Sequence, residues 1–173
     1  MKLDQPRMLE NGYVKVCMAE VNYLHGLNDL CARHLLKRHK PSVLEIGCNE
    51  GVSTRLFCEY SNDVTTVDPR LLSGMKNLLA ECSYVRHEPM LSEDFFKQNT
   101  KKYDLIYIDG DHSFGWANKD IEHSLRHVKK DGVVSGHDFH MSCPGVMKAV
   151  HKNFLIHEVY RDSSWVGIQC RNA

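Results

Sequence analysis

Two short runs of this sequence end in residues able to move protons. "YDLIYIDGDHS" places Asp109, Asp111 and His112 just past an apolar segment, and "GVVSGHD" does the same with His137 and Asp138. A carboxylate and an imidazole brought together can take a proton from a hydroxyl, and an imidazole does so near neutral pH without a large pKa shift. The alternative for each is structural: acids that cap helices or hold water, and a histidine bonded to the helix that follows. A third run, "LEIGCNEG", carries Glu45 and then sets Gly47 and Gly51 in a turn. Glycine there permits positive φ or a close approach of backbone to a ligand, and a tight turn without a ligand needs the same residues. Asp68 stands 21 positions after Gly47, at the end of "VTTVD". A carboxylate in that place accepts two hydrogen bonds from a ribose diol, although a strand-end acid can also simply face solvent. Loop and acid together point to an adenosine-type ligand. Asn49 and Val52 stand where a G-x-G-x-x-G loop needs glycine, which argues against NAD.

These groups need elements to hold them. Leu24, Leu27, Cys31 and Leu35 recur at helical spacing, which predicts a helix over residues 21–38. "SVLEIG" between Pro41 and Gly47 reads as a buried strand, and "VSTRLFCEY" as the helix after it. The alternation then continues. Strands are expected at 64–68, 83–87, 103–109 and 132–138, with helices at 70–81, 91–99, 115–130 and from "CPG" to Asn153. "FLIHEVY" and "WVGIQC" flank the polar turn 161–164 as a final β-pair. Five β-α units and a β-pair make a doubly wound α/β domain, mostly parallel, with an antiparallel strand near its end. Ligands of such sheets bind beyond the carboxyl ends of the strands, where nearly every strand of this chain carries a polar group.

The chain has 173 residues, 42% hydrophobic and 25% charged, with 22 basic and 22 acidic side chains. That suits one domain, taken as residues 1–173 with residues 1–20 as a short N-terminal extension. Balanced charge gives no bulk argument for nucleic acid or an anionic membrane surface. No apolar stretch approaches the roughly 18 residues of a membrane span, and "MKLDQPRMLENGY" lacks the apolar core of a secretory signal. Seven cysteines without C-x-x-C spacing suggest reduced thiols and a cytoplasmic location. "LLKRHK" reads as a helix end whose cations offset the macrodipole.

"VLEIGCNEGVSTRLF", "VTTVDP", "YDLIYIDGDHSFGWANKDIEHSLRHVKKDGVVSGHDF" and "PGVMKAVHKNF" together resemble class I S-adenosylmethionine-dependent methyltransferases. The resemblance is closer to the small-molecule O-methyltransferase-like branch with an E-I-G-x-x-x-G-x-S-T loop and an I-D-G-D-H-S motif, and it runs from about residue 24 to 170. It implies a Rossmann-like seven-stranded sheet in the order 3-2-1-4-5-7-6, strand 7 antiparallel, with helices on both faces. It implies S-adenosylmethionine as cofactor, held by Glu45, Gly47, Cys48, Asn49, Gly51, Ser53 and Asp109. Asp68 would bind the ribose hydroxyls, and Glu88 would lie near adenine. A sulfonium cofactor carries no phosphate, so the loop has no need of the full dinucleotide glycine pattern.

In metal-dependent, catechol-type relatives, acids at the ends of strands four and five bind Mg2+. Asp109 and Asp138 match them, whereas Phe139 stands where a third ligand is expected and His137 is the available substitute. Asp109, His137 and Asp138 would suit Mg2+ or Mn2+. His112 falls where some of these relatives place a lysine base, so His112 and Asp109 are the catalytic candidates. The implied reaction is methyl transfer to a small-molecule or sugar-like acceptor at oxygen. The rivals are a macromolecular or nitrogen acceptor and a non-catalytic S-adenosylmethionine-binding domain. The D/N-P-P-Y motif of amino-methylating nucleic-acid enzymes is absent, with "IDGD" in its place. Tyr13, Tyr23, Trp116 and Phe139 are candidates to line the acceptor pocket. The short N-terminal segment suits an open site, one completed by a second copy in a homodimer, or a larger acceptor.

Overall fold

The computed structural model describes residues 24–170. The expected first helix is α1 (His25–Leu35). Residues 1–23, which include the N-terminal extension, Tyr13 and Tyr23, lie outside the described residues. Then follow β1 (Val43–Ile46), α2 (Val52–Tyr60), β2 (Val64–Val67), α3 (Ser73–Glu81), β3 (Val85–Glu88) and α4 (Ser92–Gln98). The second half contains β4 (Tyr103–Ile108), α5 (Phe114–His127), β5 (Val128–Gly136), α6 (Pro144–Asn153), β6 (Phe154–Val159) and β7 (Trp165–Cys170). The seven strands form one sheet in the order 3-2-1-4-5-7-6. β7 runs antiparallel to both β5 and β6, as expected.

Alternate residues of the central strands face opposite layers, as the two-residue period of a strand requires. Val43, Leu105 and Tyr107 pack with α1, α2 and α3 on one face. Leu44, Ile46, Ile106 and Ile108 pack with α4, α5 and α6 on the other. With both faces covered, β1, β2 and β4 are buried along their whole lengths, with the polar Glu45, Thr65, Thr66 and Asp104 buried among their apolar residues.

One boundary differs from expectation. The helix drawn to residue 130 stops at His127, and β5 starts at Val128 rather than at 132. Val128 pairs with Tyr103, and a register shift follows before Leu105 pairs with Val133. The Asp104 carboxylate explains the early exit from the helix: it holds Lys129 at 2.7 Å and Arg38 at 3.1 Å. It also accepts the Ser42 backbone N–H at 2.8 Å, tying α1, β1 and β5 to the start of β4. Arg38 meanwhile donates to the His34 carbonyl at 2.7 Å, closing the end of α1 as the basic run suggested.

At the opposite edge the ladder continues one residue past each strand. Gly47 N–H donates to the Val67 carbonyl at 2.8 Å, Asp109 N–H to Ile46 at 2.7 Å and His137 N–H to Ile108 at 3.0 Å. Asp68 N–H reaches the Glu88 carbonyl at 3.3 Å. The four strand-end loops are thereby aligned in one row. Among the described residues, no helix is long and apolar enough to cross a membrane.

Candidate active site

Along that row lies a cleft of about 800 Å³, within the size range of small-ligand sites. Gly47, Cys48, Asn49, Ser53, Asp68, Asp109, His112 and His137 all line it, as does Trp116. Gly51 ends the loop at φ +82° and leads directly into α2. The loop is shaped by three positive-φ residues, Gly47 (+84°), Asn49 (+46°) and Gly51 (+82°), which fold its backbone tightly over the end of β1. Asp68 locks it: one carboxylate oxygen accepts Asn49 N–H at 3.1 Å and the other accepts Arg70 N–H at 2.9 Å.

Three expected residues sit differently. Glu45 has no exposed surface and does not line the cleft. Its carboxylate accepts hydrogen bonds from Ser53 and, at 2.5 Å, from Thr54. It pins the first turn of α2 to β1, and so acts on the loop from beneath. Glu88 lies off the cleft because β3 ends at that residue and the chain then turns; Met90, Leu91 and Ser92 line the cleft in its place. Phe139 packs on His157 with ring centroids 4.9 Å apart, away from the cleft.

Burial raises the Glu45 carboxyl to about 8, against the pull of the Ser53 and Thr54 hydroxyls. The unfolded chain releases this proton near 4.5 and the folded chain near 8, so the native state alone retains it between those values. Stability therefore falls as pH rises through that window, by about 1 kcal/mol per pH unit. Glu45→Gln is expected to remove this component of the slope. Urea unfolding of both proteins from pH 5 to 8 checks it, and parallel curves would refute it.

A cluster forms where β4 and β5 end. Asp138 adopts φ +60°, which an aspartate tolerates, and its carboxylate meets three imidazoles. His112 Nε2 is 2.9 Å from one oxygen, while His140 Nε2 at 3.0 Å and His137 Nδ1 at 3.4 Å approach the other. The contact with His137, reinforced by His112 and His140, holds the Asp138 carboxyl well below the usual carboxylate range against the effect of burial. Burial opposes charge on His137, but Asp138 and Asp109 outweigh it and raise that imidazole to about 9. Burial and the neighbouring Asp138 raise Asp109 to about 6 despite His137 and His112. Ligand atoms of Asp109, His137 and Asp138 lie within 4.8 Å of one another, so one cation could touch all three.

The cleft also holds residues that sequence reasoning missed. Asp120 of α5 is 3% exposed, receives the Ser92 hydroxyl at 2.5 Å, and is raised to about 6 chiefly by burial. The available signal was an acid next to Ile121 on the apolar face of a helix. Tyr107 and Arg70 line the cleft too; Tyr107 was read only as part of a strand.

A family model described as "Methyltransferase domain" matches residues 44–139, a span from β1 through the acid–imidazole cluster. The chain belongs to the methyltransferase-domain family. It is an S-adenosylmethionine-dependent methyltransferase. Among curated proteins, none matches this sequence. Solved structures do resemble this methyltransferase in fold. CalS11, a TDP-rhamnose 3'-O-methyltransferase of calicheamicin biosynthesis, aligns over 91% of this chain and 82% of its own with a TM-score of 0.68 and 13% identity. MycE of the mycinamycin pathway, solved with Mg and SAH, aligns over 89% of this chain but 52% of its own, with a TM-score of 0.64 and 16% identity. The SAH-bound Podospora anserina methyltransferase PaMTH1 aligns over 76% and 72%, with a TM-score of 0.60 and 15% identity.

For this methyltransferase, Asp68→Ala is expected to weaken S-adenosylhomocysteine binding by about 2–3 kcal/mol, roughly 30- to 150-fold. The substitution removes a carboxylate suited to the ribose diol and also frees Asn49 N–H from its partner. Calorimetric titration of both proteins checks it, and equal affinities would remove Asp68 from the cofactor site.

Proposed function

We propose that this methyltransferase transfers a methyl group to a hydroxyl of a small, sugar-like acceptor, with a divalent cation at Asp109, His137 and Asp138. The observation that carries the reading is the His112–Asp138 pair, 2.9 Å apart, with His112 on the wall of the cofactor cleft. The sugar O-methyltransferase among the structures of like fold, and the Mg held in MycE, support the same reading.

S-adenosylmethionine supplies a methyl carbon already activated by its sulfonium, so the protein's work is alignment and proton removal. His112 Nε2–H donates to Asp138, which leaves Nδ1 as the atom that accepts the hydroxyl proton. Asp138 fixes that tautomer and stabilises the imidazolium that results. With S-adenosylmethionine bound, its methyl group would pass to the acceptor oxygen and S-adenosylhomocysteine would be the product. Trp116 offers an apolar wall with Lys119 Nζ 4.9 Å from its ring centroid, a combination suited to the face and hydroxyls of a sugar. The cation set is two carboxylates and one imidazole, compatible with Mg2+ or Mn2+, and would supply Lewis-acid polarisation of the acceptor oxygen. His137 must lose its proton to join it, so cation binding releases protons.

The test is S-adenosylhomocysteine formation across hydroxyl and amine acceptors, nucleotide sugars and reducing sugars included, with Mg2+, Mn2+ or a chelator. The expected result is turnover with a hydroxylated acceptor that a chelator suppresses and Mg2+ or Mn2+ restores. Turnover with amines alone would overturn the acceptor class, and full turnover under chelation would overturn the cation.

A further inference from the structure

Beside the proposed cation set lies a second group of ligand atoms with different chemistry. One nitrogen of His112, one oxygen of Asp138 and the Cys143 sulfur all lie within 4.8 Å of one another. Cys143 Sγ is 3.8 Å from His112 Nδ1, while His112 Nε2 is 2.9 Å from Asp138. Two ligands at zinc–sulfur and zinc–nitrogen bond lengths and a tetrahedral angle stand about 3.5 Å apart. The two contacts use different nitrogens of His112, and one ion binds only one of them; from ligand atoms within 4.8 Å of one another, closing on an ion takes up to about 1.3 Å of movement by the exposed His112 and half-buried Cys143 side chains.

The fold builds this meeting of residues 31 positions apart. Cys143 is the N-cap of the ten-residue α6, with Pro144 at its first position. Gly145 lets that helix end lie directly on the loop after β4: a Cβ there would stand 2.3 Å from the His112 carbonyl oxygen and 2.6 Å from the Phe114 nitrogen. No other residue could occupy position 145 without pushing Cys143 away from His112. Asp138 reaches the same point because its positive φ turns its carboxylate back over the end of β5. His112 is exposed and Cys143 half-buried, so an ion can enter from solvent and keep water in a fourth position.

We propose that His112, Asp138 and Cys143 form a second metal site, selective for a borderline-soft divalent ion of the Zn2+ class. Sulfur, imidazole and carboxylate favour Zn2+ over Mg2+, whereas the oxygen-rich set at Asp109 and His137 has the opposite preference. The sites share Asp138, so filling one weakens the other. Zn2+ there also takes His112 away from proton transfer, and this consequence alone rests on the function proposed above. Occupied by Zn2+, the enzyme binds its cofactor and does not turn over.

Co2+ is the probe, because a cobalt–thiolate bond gives a charge-transfer band that nitrogen and oxygen ligands do not. The intact, reduced protein is titrated with Co2+ and then with Zn2+. The expected result is a band saturating at one equivalent and displaced by Zn2+, absent in Cys143→Ser and weakened about tenfold or more in His112→Ala, but retained in Asp109→Asn. Thermal unfolding of the metal-free variants confirms that each is folded. No thiolate band in the parent protein, or a band that survives Cys143→Ser, would overturn the proposal. Neither outcome bears on the methyltransferase reading, which S-adenosylhomocysteine titration tests separately.

Discussion

Gly47→Ala is expected to cost about 3–5 kcal/mol of stability, while Gly51→Ala costs about 1–2 kcal/mol. Both glycines hold φ above +80°, so alanine is strained equally by its backbone at either position. What differs is the surroundings. A Cβ on Gly47 would lie 2.2 Å from the Asp109 carbonyl oxygen and 2.8 Å from Gly110 Cα. Those are backbone atoms at the end of the central strand, held by the hydrogen bond from Asp109 N–H to Ile46, and they cannot rotate aside. On Gly51 the nearest atom is Met75 Sδ at 3.0 Å, the flexible part of a side chain that can shift. Overpacking against backbone adds about 2–3 kcal/mol to the φ penalty at position 47 and little at 51. Urea unfolding measures both, and equal losses would show that the β1–β4 contact is looser than these distances state. A Gly47→Ala protein that still folds should also bind S-adenosylhomocysteine poorly, because Asp109 must move with its carbonyl.

The largest effect on activity is expected at His112. His112→Ala should lower turnover by roughly 10²- to 10⁴-fold, the range for loss of a positioned general base. Cofactor affinity should change little, since Asp68 and the glycine loop are untouched. Asp138→Asn keeps the shape of the partner but can no longer stabilise an imidazolium, and it should fall in the same range. The double variant should be scarcely worse than the poorer single one, because the two residues act as one unit. Single-turnover formation of S-adenosylhomocysteine, with calorimetric cofactor titration alongside, separates chemistry from binding. Additive losses, or a cofactor affinity that falls in parallel, would reassign His112 to a structural role.

Much of this protein was legible before its structure. Alternating apolar runs and helical periods located thirteen elements, because each must bury one stripe or face, and that requirement is written locally. The rule that ligands sit beyond the carboxyl ends of parallel strands then singled out Gly47, Asp68, Asp109, His112 and His137, and all of them line the cleft. Glu45 was misplaced because its position on the edge of the loop says nothing of depth: a carboxylate at the end of β1 can face ligand or core. Ser53 and Thr54 drew it inward. The early start of β5 followed from Asp104 holding Lys129, a pairing across 25 residues that no local pattern carries.

Sequence alone determined the order of elements and the polar strand ends, Asp68 among them, since these depend on neighbours within a few residues. Only the tertiary structure decided which side chains meet. Asp138 gathers three imidazoles because its backbone turns through positive φ, and Cys143 reaches His112 because Gly145 has no side chain to hold the helix away. Asp120 enters the cleft because the hydroxyl of Ser92, from a helix on the same face of the sheet, donates to its carboxylate there. Each depends on backbone closeness between distant segments. The packing of strands and helices creates that closeness, and residue types in a row do not encode it one position at a time.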